Sequence, residues 1–283
     1  MPNVPLIDNR FRLKHKIGEG SFGDVYSGTD VRNRRKVAIK IAKEGKESSL
    51  EKEAQIYKHL QSRCQGELDF YGFPNFYWFG KENGYYYLVI ERQGVSYHKL
   101  FEDGQLSLED VNQLAIEGLY ILETLHGHGL IHQDLKPDNF LHRHSDNSKH
   151  KRAVLIDYGL TKHYLDGHNQ HLPMTHHHRM IGTARYVSCN THLGLSQSRR
   201  DDLESFGYLL VYLAKGKLPW NGLKEPNKLK RYEKIGQLKI ETSLKKICHG
   251  LPSIYEKYLS YCRNLAYSET PDYHYLRNLF IKK

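Results

Sequence analysis

The sequence predicts an α+β fold in two parts: a small, strand-rich N-terminal part with one main helix, then a larger, mostly helical C-terminal part. Three observations carry this. Up to about Gln93 the chain alternates apolar and polar positions as strands do, interrupted by one helical stretch. Farther on, Val111, Leu114, Ala115, Gly118, Leu119, Leu122 and Leu125 recur at helical spacing. Between the two lies the short linker Glu91-Arg92-Gln93-Gly94. With 283 residues, 39% of them hydrophobic, the chain can bury a substantial core. It shows no internal repeat.

The first element is a turn. Ile17 to Val25 reads G-x-G-x-x-G-x-V, and glycines let a backbone approach phosphates with no side chain in the way. Dinucleotide-binding folds carry a similar pattern, but there the loop opens a helix. Here Asp24-Val25-Tyr26-Ser27-Gly28 reads as a strand, so the loop is a hairpin. The next strand holds Val37-Ala38-Ile39-Lys40. Alternation puts Val37, Ile39 and Ile41 on one face and Ala38, Lys40 and Ala42 on the other. Ser48 or Ser49 is the expected cap of a helix through Leu50, Ile56 and Leu60. Glu53 on that helix is the expected ion-pair partner of Lys40, with Glu51 as the competing candidate. Tyr85 to Ile90 is the last strand before the linker, and Ser107-x-x-Asp110 starts a helix in the second part.

The richest segment is Leu130 to Leu141, with the pattern H-x-D-x-x-x-x-N. Asp134 can take a proton from a hydroxyl, Lys136 can neutralise a phosphate, and Asn139 can hold a metal ion. Phosphoryl transfer needs this kind of positioning and charge neutralisation more than covalent chemistry. Asp157-Tyr158-Gly159 follows the apolar strand Ala153-Val154-Leu155-Ile156. Asp157 and Asn139 suit Mg²⁺, a hard ion held by few protein oxygens plus phosphates. The Tyr158 hydroxyl needs a partner if it is buried. Asp202 precedes the apolar run Phe206 to Leu213.

These motifs, in this order, match protein kinases. Gly182-Thr183-Ala184-Arg185-Tyr186, Ser188-Cys189-Asn190, Ser196 to Tyr208, Leu218-Pro219-Trp220-Asn221-Gly222 and Pro271 to Arg277 narrow the likeness. Over nearly its whole length the chain resembles the casein kinase 1 family of serine/threonine protein kinases. The resemblance implies one kinase domain over 1–283: an N-lobe over about 1–93, a hinge at 91–94 and a C-lobe from about 95. It implies that Asp134 accepts the substrate proton, Lys136 steadies the phosphoryl group, and Lys40, held by Glu53, grips the α/β-phosphates of ATP. Ile17, Gly18, Gly20, Gly23, Val25, Ala38 and Leu141 would surround the nucleotide. Ile90 would be the gatekeeper, and backbone groups of Glu91 and Gln93 would meet adenine. Asp202 would brace the catalytic loop. Arg185, Gly222 and either Lys230 or Arg231, with Arg231 favoured, would form an anion site for acidic or phospho-primed protein substrates. Gln133 stands where the family has an arginine that holds an activation-segment phosphate. His176-His177-His178 stands where it has a lysine, with Arg179 as a partial substitute. Activity independent of activation-segment phosphorylation is therefore expected. Retention of the motif residues argues against a catalytically inert binding module, and whole-chain likeness argues against a kinase for a lipid or small molecule.

The bulk properties fit. Lys+Arg 42 against Asp+Glu 32 gives a net charge of +10, which attracts acidic partners. No basic helix or aromatic RNA signature points to nucleic acid. No apolar run reaches the length of a membrane span, and Met1-Pro2-Asn3 begins no signal segment. Cys64, Cys189, Cys248 and Cys262 form no C-x-x-C pair and read as free thiols of the cytosol or nucleus. The histidines at 142, 144, 150, 163, 168, 171 and 176–178 read as loop residues rather than a zinc site. A monomer is expected.

Overall fold

A computed structural model describes residues 6–20, 23–64, 72–143, 153–176 and 180–281. The chain divides into two compact units: 1–95 with 141–159, and 96–140 with 160–283.

The first unit is built on an antiparallel sheet of order β1-β2-β3-β5-β4. Its strands are β1 (Phe11–Glu19), β2 (Gly23–Asp30), β3 (Lys36–Ala42), β4 (Phe76–Glu82) and β5 (Tyr85–Glu91). Val37 and Ile39 of β3 are fully buried on one face with Ile7, Phe11 and Val89, and Ile41 packs against them. Side chains of that size contribute about 1.5–3 kcal/mol each when buried. The other face is set by register. Gly18 pairs with Val25, Val25 with Lys40 and Lys40 with Leu88, while Ser27 pairs with Ala38 and Ala38 with Ile90. Cross-strand partners share a face, so Lys40 stands in a row of small and apolar side chains. Helix α1 (Glu47–Arg63) buries Leu50, Glu53, Ala54, Tyr57 and Leu60. Its N-cap is Lys46, without a side-chain cap, rather than Ser48 or Ser49. Burial of the Leu50–Tyr57 face sets where this helix starts, overriding the local serine signal.

Strands β7 (Phe140–His142) and β8 (Ala153–Leu155) pair with each other. Gly94 N donates to His142 O at 2.7 Å and His142 N to Val95 O at 2.9 Å, so the linker and β7 are tied together. His144 and His150 lie outside the described residues.

The second unit is helical, with β6 (Leu130–Ile131) paired to β9 (Lys162–His163). Its helices are α2 (Tyr97–Glu102), α3 (Leu108–Gly127), α4 (Cys189–His192), α5 (Arg199–Lys215), α6 (Lys228–Glu241), α7 (Leu244–Ile247), α8 (Ser253–Asn264) and α9 (Tyr273–Phe280). Ser107 and Asp110 close a capping box at the start of α3, satisfying two backbone donors that no helical carbonyl can reach. Helix α5 is buried from Asp201 to Leu213 and forms the centre of this unit. Phe206 on α5 meets Phe140 at 5.3 Å between ring centroids.

Candidate active site

In the first unit the Gly-rich turn lies between β1 and β2. Gly20 N donates to Gly23 O at 2.9 Å, closing the hairpin. A Cβ on Gly23 would come within 2.4 Å of Ile41 O, so glycine is needed there for the approach of β2 to β3 as well as for any phosphate. Ser21 and Phe22 lie outside the described residues. Val25, Ile90 and Leu141 are half-buried, Ala38 is buried, and Ile17 is 36% exposed. Glu91 N donates to Asn75 O at 2.8 Å, so of its two backbone groups only the carbonyl can serve a base. The Gln93 side chain is buried.

Lys40 Nζ stands between two carboxylates, 2.7 Å from Glu53 Oε2 and 2.8 Å from Asp157 Oδ1. Burial alone would depress the Lys40 ammonium, but the two carboxylates hold it above its ordinary range. Glu51, the competing candidate, is exposed. Asp157 has a φ of 67°, uncommon for a residue with a side chain, and its N–H donates to Tyr57 Oη at 3.3 Å. Tyr158 is buried edge-on against Tyr57 with centroids 4.9 Å apart. Its hydroxyl donates to Leu155 O at 2.9 Å, so the extra polar atom is satisfied.

In the second unit the segment after β6 folds around Asp134. Lys136 Nζ donates to Asp134 Oδ2 at 2.9 Å and Thr183 Oγ1 to Asp134 Oδ1 at 2.6 Å. Asn139 Nδ2 donates to the Asp134 carbonyl at 2.9 Å, which turns the loop back on itself. Beneath it, Asp202 Oδ2 accepts from His132 N at 2.7 Å and Oδ1 from Gln133 N at 2.9 Å. Thr183 carries no motif signal beyond its place in Gly182-Thr183-Ala184-Arg185. Around Gln133, Lys162, Ile181 and Gln197 there is only about 10 Å³ of space, enough for one water. His177, His178 and Arg179 lie outside the described residues.

Arg185 is exposed, with its guanidinium 5.2 Å from the Tyr212 ring centroid and 5.8 Å from that of Tyr186. Trp220 Nε1 donates to Arg185 O at 2.8 Å, tying it to the turn that carries Gly222, whose φ is 77°. Lys239 on α6 is fully buried and donates to Ala184 O at 2.8 Å and Val187 O at 2.5 Å. Burial pushes its ammonium down to about 7, while the two carbonyls and the faces of Tyr208 and Trp220 favour the charged form. The lysine thereby clamps α6 to both sides of Arg185. Gly236 makes this approach feasible, since a Cβ there would meet His192 Cβ at 2.7 Å and its ring Cγ at 2.9 Å. Arg231, half-buried, lies two turns before Lys239, about 12 Å along the axis. Lys230 is exposed. Among the described residues, Arg185, Lys230 and Arg231 have no carboxylate within ion-pair distance.

Asp157 supplies a carboxylate. Asn139, with its amide nitrogen committed to Asp134 O, supplies an amide oxygen. Each is an oxygen donor of the kind Mg²⁺ takes. Among the described residues no group of three or more His, Cys, Asp or Glu is arranged to hold a metal.

A lysine fixed between two carboxylates beside a Gly-rich hairpin, and a loop aspartate held by lysine and threonine, answer the needs of phosphoryl transfer to a hydroxyl. With the five-stranded sheet and the helical second unit, they define the protein kinase class. The protein kinase domain family model matches residues 11–265, and the chain belongs to that family. It is therefore a phosphotransferase that uses ATP and a divalent metal ion and acts on protein substrates. No helix among the described residues is long and apolar enough to cross a membrane.

Proposed function

We propose that the protein is a serine/threonine kinase of the casein kinase 1 type, selective for acidic or phospho-primed substrates and active without activation-segment phosphorylation. The observation that carries the reading is Asp134 held between Lys136 and Thr183. In the transfer, the bond between the γ-phosphorus and the ADP oxygen breaks. A bond forms to the substrate oxygen, and Asp134 takes the hydroxyl proton. The two donors fix the carboxylate so that a remaining lone pair meets that hydroxyl. Lys136 also balances charge on the moving group, and Lys40, oriented by Glu53, grips the α/β-phosphates. Asp157 and Asn139 would hold Mg²⁺, whose charge offsets that of the phosphates. Ile17, Gly18, Gly20, Gly23, Val25, Ala38, Ile90, Glu91, Gln93 and Leu141 would form the nucleotide site.

Arg185, exposed and without a carboxylate partner among the described residues, supports the anion site with Gly222 and Arg231. A guanidinium binds phosphate oxygens in pairs. Gln133, which carries no charge to pair with a phosphate, supports independence from an activation-segment phosphate. Free thiols at Cys64, Cys189, Cys248 and Cys262 support a reducing compartment, cytosol or nucleus. We read the chain as a single kinase domain that works as a monomer.

The test is phosphate transfer from Mg·ATP to two peptides, one with a phosphoserine three residues before the target serine and one without, using Asp134→Asn as control. Transfer that favours the primed peptide and vanishes in the control is expected. Nucleotide binding without transfer to either peptide would overturn the reading.

A further inference from the structure

Helix α9 lies beyond residue 265, where the kinase-domain match ends. Its first residue nevertheless reaches the support of the catalytic loop. Tyr273 Oη is 2.5 Å from His126 Nδ1, and His126 Nε2 is 3.1 Å from Asp202 Oδ2. His126 and Asp202 are each 1% exposed.

The chemistry of the three groups orders them. Burial would raise the Asp202 carboxyl, but hydrogen bonds and positive potential from His126 and His132 hold it below its ordinary range. As an ionised carboxylate it can only accept, so His126 Nε2 must carry a proton. Nδ1 then faces the Tyr273 hydroxyl, which can donate to a bare ring nitrogen or accept from a protonated one. Asp202 thus receives three N–H groups, from His126, His132 and Gln133. Without the tyrosine hydroxyl, Nδ1 becomes a buried polar atom lacking this partner, and the imidazole loses one of the contacts that fix its rotation.

The loop above has a reason to need this support. Gln133 sits at φ 69°, a left-handed conformation that costs free energy for a residue with a side chain. Asp134 follows it directly. Any relaxation of Gln133 therefore re-aims the carboxylate that Lys136 and Thr183 hold.

Other contacts anchor the rest of α9. Arg277 of α9 pairs with Glu123 on α3, and its guanidinium lies 4.0 Å from the Tyr120 ring centroid. Phe280 stands edge-on to Tyr255 and Tyr258. The His126 carbonyl is also held, by Tyr164 Oη at 2.7 Å.

We propose that Tyr273 is a positioning residue for catalysis: through His126 and Asp202, α9 holds the backbone of His132 and Gln133 and so aims Asp134. The kinetic part of this inference rests on the phosphoryl-transfer reading above. The experiment compares Tyr273→Phe, which removes one hydroxyl, with Phe280→Leu, which loosens the same helix without touching the relay. Two quantities are read in the full chain: kcat and the KM for ATP, and amide hydrogen exchange at His132 and Gln133. Tyr273→Phe should lower kcat about tenfold, leave the KM for ATP within about twofold, and speed exchange at both amides about tenfold. Phe280→Leu should lower the melting temperature yet leave kcat and those two amides near wild type. Unchanged exchange in Tyr273→Phe overturns the proposal, as does unchanged kcat in a protein that transfers phosphate. Equal effects of Phe280→Leu on both quantities also overturn it. If the wild type transfers no phosphate, the kinase reading fails, while the exchange comparison still decides whether the brace exists.

Discussion

Replacing either member of the Lys40–Glu53 pair should have unequal consequences. At 2.7 and 2.8 Å, the two ion pairs of Lys40 are each worth about 6 kcal/mol of Coulomb attraction at an effective dielectric of about 20, before desolvation is subtracted. Lys40→Met removes both attractions and strands Glu53, whose side chain is only 2% exposed. Breaking a buried pair from that side costs about 3–5 kcal/mol. Glu53→Gln removes one attraction, but it also removes a buried charge, and Lys40 keeps Asp157. Its net cost should be about 1–2 kcal/mol. At roughly 2–4 °C per kcal/mol for a chain of this size, Lys40→Met should lower the melting temperature by about 6–20 °C and Glu53→Gln by about 2–8 °C. Scanning calorimetry at neutral pH and 0.15 M salt measures both. The order should persist at higher salt, because buried pairs are little screened. An equal loss, or a larger one in Glu53→Gln, would refute the claim that Asp157 shares the load.

Three further expectations are tied to single features. Arg185→Gln should lower kcat/KM on the primed peptide about tenfold or more and on the unprimed one less than about threefold, because it removes a charge-assisted contact to phosphate; equal losses in parallel kinetics would remove Arg185 from the anion site. Phosphatase treatment before the assay should leave activity within about twofold, since Gln133 has no charge with which to hold an activation-segment phosphate; a large loss would refute this independence. Burial, with the charge of Lys239, pushes the His192 imidazole down to about 3. The unfolded chain therefore takes up that proton first, so stability present above about pH 6.5 is lost on acidification, by at most about 1.4 kcal/mol per pH unit. His192→Gln should flatten this slope in denaturant titrations between pH 6.5 and 4, and an unchanged slope would disprove it.

Much of the fold was legible because it is written in local periodicity. The alternation of Val37, Ile39 and Ile41 is the core face of β3. The apolar spacing from Val111 to Leu125 is the buried stripe of α3, and Ser107 with Asp110 marks its start. The brace of Asp202 on the catalytic loop was legible through the family resemblance, but other contacts between residues far apart in sequence were not. Asp157 as a second partner of Lys40, Thr183 on Asp134, and Tyr273 on His126 join residues separated by 117, 49 and 147 positions. Lys239 is the sharpest case. In sequence it is one of several lysines between Lys228 and Glu241, and only the fold brings Ala184 O and Val187 O to its ammonium. The start of α1 eluded the serine signal because tertiary burial outweighs a cap.

The first unit is discontinuous, and this constrains how it is made. Its sheet is encoded before residue 95, but β8 and Asp157 come only with the return segment 141–159. At about 5–20 residues per second, a ribosome needs several seconds to add the intervening chain. During that interval Lys40 and Glu53 have been made, but Asp157 has not. The sheet can therefore be complete while the unit is not, because the missing piece follows residues 96–140 of the second unit. A protein cut after Val95 would lack it altogether, so neither unit can be produced whole as one uninterrupted fragment.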